Sequence, residues 1–132
     1  MLPPDPWPGE SEIGLAICQK RDWSSIKKLL SEKEVQDFFW LRHLRALGDT
    51  NTRKIARSCI ISWCKDSKQD WDPVVVSNRL VNWLSLFDFF GASAEISFRK
   101  QFFKILSQHQ RYLWKIYAKT PNSFARFCIL KA

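Results

Sequence analysis

Glycine is scarce in this sequence, with four residues in 132, and three of the six prolines fall within the first six positions. That leaves little material for the frequent tight turns of an all-β fold, so long helices are the expected element. Long apolar runs are missing too. Nothing approaches about 18 consecutive apolar residues, so no transmembrane helix is predicted. The opening MLPPDPWPGESEIGL has no basic stretch followed by an apolar one. No secretory signal is visible, and the chain as written is expected to stay in the cytoplasm. Cys18, Cys59, Cys64 and Cys128 include no CxxC pair, and His43 and His109 stand outside any ligand spacing. The cysteines lie in apolar-periodic segments and read as buried free thiols, so neither a metal nor another cofactor is expected. A phosphate-cradling glycine loop and a serine–histidine–acid order are likewise missing.

Aromatic residues and positive charge are what the chain has in quantity. It carries seven Trp and ten Phe within an ordinary apolar fraction of 45%. A chain of this length forms one domain and hides roughly two-thirds of the surface exposed when unfolded. Twenty-one Lys and Arg against thirteen Asp and Glu give a net charge of +8. Such a surface favours polyanions: nucleic acid, acidic polysaccharide or anionic lipid. The basic residues are spread along the chain rather than gathered in a tail, so charge alone names no partner.

The periodicity predicts one all-α domain over residues 1–132, led by an extended segment over 1–10. Helices are expected over about 11–20, 23–30, 32–47, 51–66, 73–90, 94–119 and 123–132, as pairs joined by short loops. Trp7, between Pro6 and Pro8, reads as a packing anchor. Asp22 reads as an N-cap, and Ser31 with Glu34 reproduces a capping box. The most informative stretch is DWDPVVVSNRLVNWLSLFDFFG at 70–91. Asp72 followed by Pro73 starts a helix, and Val76, Leu80, Val81, Leu84 and Phe87 form its apolar stripe. Gly91 is expected to stop it in a left-handed conformation. Arg79, Asn82 and Trp83 interleave with the stripe. They form either an ordinary helix edge or a carbohydrate-handling surface, where Arg binds carboxylate or sulfate, Asn bonds hydroxyls and Trp faces a sugar ring.

Five blocks together resemble the helical N-terminal domain of the heparinase II/III family of polysaccharide lyases, most closely its bacterial heparinase II/III-like members. They are PPDPWPG at 3–9, FFWLRHLRALGD at 38–49, RKIARSCIISWC at 53–64, WDPVVVSNRLVNWLSLFDFFGAS at 71–93 and SFRKQFFKILSQHQRYLWK at 97–115. Trp71, Arg79, Leu80, Trp83 and Phe89-Phe90 follow the family's pattern of a tryptophan leading into R-L-x-x-W and an aromatic-rich end. The resemblance implies antiparallel helix pairs forming part of an incomplete α/α toroid. In the family a β-sandwich domain follows, and the cleft between the domains carries out β-elimination on acidic polysaccharides. A base takes the proton alpha to a uronate carboxylate, an amide or cation neutralises that carboxylate, and a tyrosine protonates the leaving oxygen.

The chain departs from that scheme. The family's Asn-His pair has a partial counterpart in Asn122-Ser123, with serine in place of histidine. Tyr112 and Tyr117 fall inside a predicted helix, and the β domain has no counterpart. The chain therefore reads as a truncated heparinase II/III-like protein that is not catalytic on its own. Arg79, Asn82, Trp83 and Asn122 are its candidate saccharide-binding residues. Two alternatives stand beside this reading. One is a basic helical module for nucleic acid, which the charge favours but no helix-turn-helix, zinc or RNA-binding motif supports. The other is self-association or a protein partner on exposed helix faces.

Overall fold

The computed structural model describes residues 7–119. These form α1 (Ser11–Lys20), α2 (Trp23–Leu29), α3 (Glu32–Asp37), α4 (Leu41–Leu47), α5 (Thr50–Cys64), α6 (Pro73–Phe90) and α7 (Ile96–Lys119), with no strand among the described residues. Short polar side chains set several of the helix starts. Asp22 accepts from the Ser25 amide at 2.8 Å and Asp49 from Thr52 at 2.7 Å. Ser31 accepts from Glu34 at 3.3 Å, and Asp72 from Val74 at 3.0 Å. Each bond satisfies an amide that the first helical turn leaves without a partner. No described helix is long and apolar enough to cross a membrane.

The single helix expected over 32–47 is two helices. α3 stops at Phe38, which adopts a left-handed backbone (φ 61°, ψ 24°) unusual for a bulky residue. Asp37 supports the break by accepting from the Phe39 amide at 2.9 Å. The break sends the Phe38 ring into the core. It stacks on Trp23 with centroids 6.0 Å apart and meets Trp40 at 5.4 Å, Trp63 at 5.9 Å and Trp83 at 5.2 Å. Burial of a phenylalanine among four tryptophans offsets a left-handed cost of about 1–2 kcal/mol. Continuous helical period across FFW does not reveal this corner.

The remaining elements gather round that aromatic centre. α6 and α7 run antiparallel. The Tyr112 hydroxyl donates to the Trp71 carbonyl beside the start of α6. At the opposite end Phe90 meets Phe98 and Phe102 edge-on at 6.3 and 5.2 Å. α1 crosses α4 at Gly14, where a Cβ would lie 2.3 Å from the His43 carbonyl oxygen. Only glycine permits that approach. α2 is tied to the segment after α5 through Asp66, which accepts from Trp23 Nε1 at 3.2 Å and Lys27 Nζ at 2.7 Å.

Two smaller expectations are corrected. Gly91 ends α6 with φ −108°, in the right-handed region rather than the left-handed one. Glycine there leaves room for the Phe87 ring, which a Cβ would meet at 2.2 Å and displace. Trp7 does not anchor the lead-in segment by burial, since the residue is 61% exposed. Its carbonyl is one attachment point, accepting from Arg45 at 2.9 Å, and the Glu10 amide, donating to His43 Nδ1 at 3.0 Å, is another.

Candidate functional site

α6 carries Arg79 into the interior, where its relative exposure is 0%. Asn82 and Trp83 are buried beside it. These side chains are therefore fold-building groups, and the expected carbohydrate contact at Arg79, Asn82 and Trp83 is corrected. A saccharide cannot reach side chains that solvent does not reach. Nor does Arg79 act by pairing with a carboxylate. Its Nε donates to the Gln36 carbonyl at 2.7 Å and its Nη2 to the Asp70 carbonyl at 2.6 Å. The guanidinium carbon lies 4.2 Å from the centroid of the Trp63 ring. Asn82 completes the clamp, donating to the Asp37 carbonyl at 2.8 Å and accepting from Arg42 Nη1 at 2.8 Å. The carbonyls of Gln36 and Asp37 are the last two of α3. Arg79 and Asn82 thus satisfy the acceptors that a helix end leaves open, and they fix the corner that places Phe38.

His109 on α7 closes the cluster. Its Nδ1 lies 2.8 Å from the Ile105 carbonyl, which can only accept, so Nδ1 carries the proton. Nε2 is then the bare nitrogen that accepts a hydrogen bond from Arg79 Nη1 at 3.1 Å. Burial pulls the His109 pKa down to about 4, and the Arg79 charge works in the same direction against the bond to Ile105. Burial also lowers Arg79 to about 10, which leaves it cationic at neutral pH. Gln36 joins the parts: its Oε1 accepts from Trp63 at 3.1 Å and the Asp70 amide at 2.9 Å, and its Nε2 donates to the Lys68 carbonyl at 2.9 Å. Nothing in the sequence pattern singled out Gln36, because one amide in a short helix has no periodic signature.

Trp40 Nε1 and Trp83 Nε1 are buried without an acceptor among the described residues. Among the described residues Cys18, Cys59 and Cys64 are free thiols, and burial raises Cys59 to about 12 and Cys64 to about 11. Among the described residues no cluster of His, Cys, Asp or Glu could hold a metal ion. Asn122, Cys128 and the helix expected over 123–132 lie outside the described residues.

The surface offers a different arrangement along α5. A groove of about 790 Å³ is lined by Arg53, Lys54, Arg57 and Lys65, with Thr50, Ser58, Ser62 and Ser93 supplying hydroxyls. Phe98 gives it an apolar wall, and Glu95 is the one acid in the lining. Two of the cations are held in place. Arg53 Nε donates to the Phe89 carbonyl at 3.2 Å, and Arg57 Nη1 to the Phe90 carbonyl at 3.0 Å. They cap the C-terminal end of α6 from a neighbouring helix. A guanidinium has five N–H donors, so one such bond leaves capacity for an anion. No motif marks these residues, because each looks like the solvated face of an amphipathic helix. The signal available was a run of basic and hydroxyl residues without acids, from Thr52 to Lys65. Compared with protein families, curated proteins and solved structures, the chain matches none.

Proposed function

We propose that this chain is a helical part of a heparinase II/III-like protein and that its role is to hold an acidic polysaccharide rather than to cleave it. The toroid-like continuation of its helix pairs belongs to this proposal. The observation that carries it is the α5 groove, where four cations and four hydroxyls face a single carboxylate. Guanidinium and ammonium groups suit carboxylate or sulfate, and serine and threonine hydroxyls suit sugar hydroxyls. The engaged state of the Tyr112 hydroxyl and of the His109 ring supports a binding role. The Tyr112 hydroxyl donates to a backbone carbonyl, and both ring nitrogens of His109 have partners. The buried Arg79–Asn82 clamp fits a motif that defines the fold of such a domain.

Calorimetric titration with uronate-containing and sulfated oligosaccharides at low salt tests the proposal. The expected result is saturable binding that weakens as salt rises, and that is lost in Lys54→Glu/Lys65→Glu. Single-stranded DNA of matched charge is expected to bind more weakly, because the groove has one aromatic ring and no set of stacking platforms. Absence of saturable saccharide binding, or equal binding by the variant, overturns the reading. Tighter binding of the DNA transfers the groove to nucleic acid.

A further inference from the structure

We propose that the outer flank of α7 docks an acidic amphipathic helix of a partner protein. This surface is separate from the α5 groove and does not depend on a saccharide there. α7 buries Phe102, Ile105, Leu106, His109 and Leu113. Away from that face it exposes Ile96 at 68%, Phe103 at 49% and Trp114 at 69%. At about 100° per residue, positions 96, 103, 107, 110 and 114 fall on one line, which runs about 27 Å along the helix. Steps of seven, four, three and four are those of a helix-packing seam.

Three observations choose the occupant. The first is shape. Ser107 and Gln110 lie between Phe103 and Trp114, and together with Arg111, Trp114 and Lys115 they line a shallow, open hollow on the surface of α7. A hollow beside a small residue receives a side-chain knob, whereas a bilayer surface calls for a continuous apolar ridge. The second is polarity. The Gln110 amide in mid-seam finds partners on another protein and none in lipid tails. The third is charge. α7 contains Arg99, Lys100, Lys104, Arg111, Lys115 and Lys119 and no acidic residue. Lys100, Lys104, Arg111 and Lys115 lie along one side of the seam at helical spacing, so glutamates or aspartates flanking an incoming helix would meet them, while a second copy of α7 laid along it would bring like charge to like.

The test uses the full chain and a fluorescent synthetic heptad peptide with leucine at its contact positions and glutamate on both flanks. The same peptide with lysine flanks serves as comparison, and phosphatidylserine vesicles form a third arm. Fluorescence anisotropy is expected to show saturable binding of the acidic peptide alone. Phe103→Ala and Trp114→Ala are each expected to weaken it about tenfold or more. Trp114 is exposed, whereas Phe103 also packs its ring on Phe87 with centroids 5.6 Å apart, so far-ultraviolet circular dichroism verifies that both variants are folded and Trp114→Ala is the cleaner arm. Arg111→Glu/Lys115→Glu is expected to transfer the preference to the lysine-flanked peptide. The proposal is overturned if the parent chain binds neither peptide or both alike, or if Trp114→Ala binds as the parent does. Binding confined to the vesicles overturns it in favour of a membrane surface.

Discussion

Two helix ends in this protein are closed by arginines from another helix, and they are closed in opposite surroundings. At the end of α3, Arg79 and Asn82 reach the carbonyls of Gln36 and Asp37 inside the core. At the end of α6, Arg53 and Arg57 reach the carbonyls of Phe89 and Phe90 while remaining half-exposed. Both pairs do the same local work, since a helix C-terminus carries partial negative charge and unsatisfied acceptors. The difference lies in the capacity left over. Arg79 is enclosed by two carbonyls, His109 and the Trp63 ring, so it has nothing to offer a ligand. Arg53 and Arg57 border a groove with Lys54 and Lys65 and retain donors. A cation's residue type and helix position do not decide between scaffold and site. Enclosure decides.

The largest expected effect is at the interior end. Arg79→Ala leaves two buried carbonyls and His109 without their donor and is expected to cost about 3 kcal/mol or more by urea unfolding. Arg79→Lys is expected to recover less than half of that, because an ammonium cannot serve the same forked geometry and does not stack on Trp63 in the same way. A lysine variant as stable as the parent would break the comparison.

Acid tests the same cluster from its histidine side. The folded His109 value of about 4 lies below the ordinary 6.5, so the unfolded chain takes up the proton first as pH falls. The contribution is complete above about pH 6.5 and is lost as pH drops toward 4. The melting temperature is expected to fall over that window, and His109→Gln to flatten the fall. Burial also lowers His43, which accepts from the Glu10 amide at 3.0 Å, so part of the slope is expected to persist.

At the outer end the effects are smaller. Arg57→Ala removes one bond to the Phe90 carbonyl and is expected to cost about 1 kcal/mol in thermal unfolding. A loss as large as that of Arg79→Ala would show that the groove arginines are structural and that the contrast is false. Lys54→Glu/Lys65→Glu is expected to move stability by no more than about 0.5 kcal/mol, since neither side chain is buried.

Local chemistry explains what was legible in the sequence. Asp22, Ser31 and Asp72 announce helix starts because a cap is a contact within a few residues. The apolar period of α5 and α7 likewise marks their buried faces. The corner at Phe38 was not legible, because its cause is an aromatic cage assembled from Trp23, Trp40, Trp63 and Trp83, distant in sequence. The same distance misled the reading of Arg79, Asn82 and Trp83. Spacing places them on a helix, but whether that face is covered depends on α3 and α7. Gln36 was invisible for the same reason: its partners lie about thirty to forty residues away, at Trp63, Lys68, Asp70 and Arg79.

Arg79, Asn82 and Trp83 build the fold, and in the proposed function the α5 groove meets the ligand. The most direct test of this claim is the affinity of folded Lys54→Glu/Lys65→Glu for a uronate or sulfated oligosaccharide, measured by calorimetry beside the parent at low salt. The expected result is loss of saturable binding with the parent's melting temperature retained. Binding by the variant equal to that of the parent would contradict the claim.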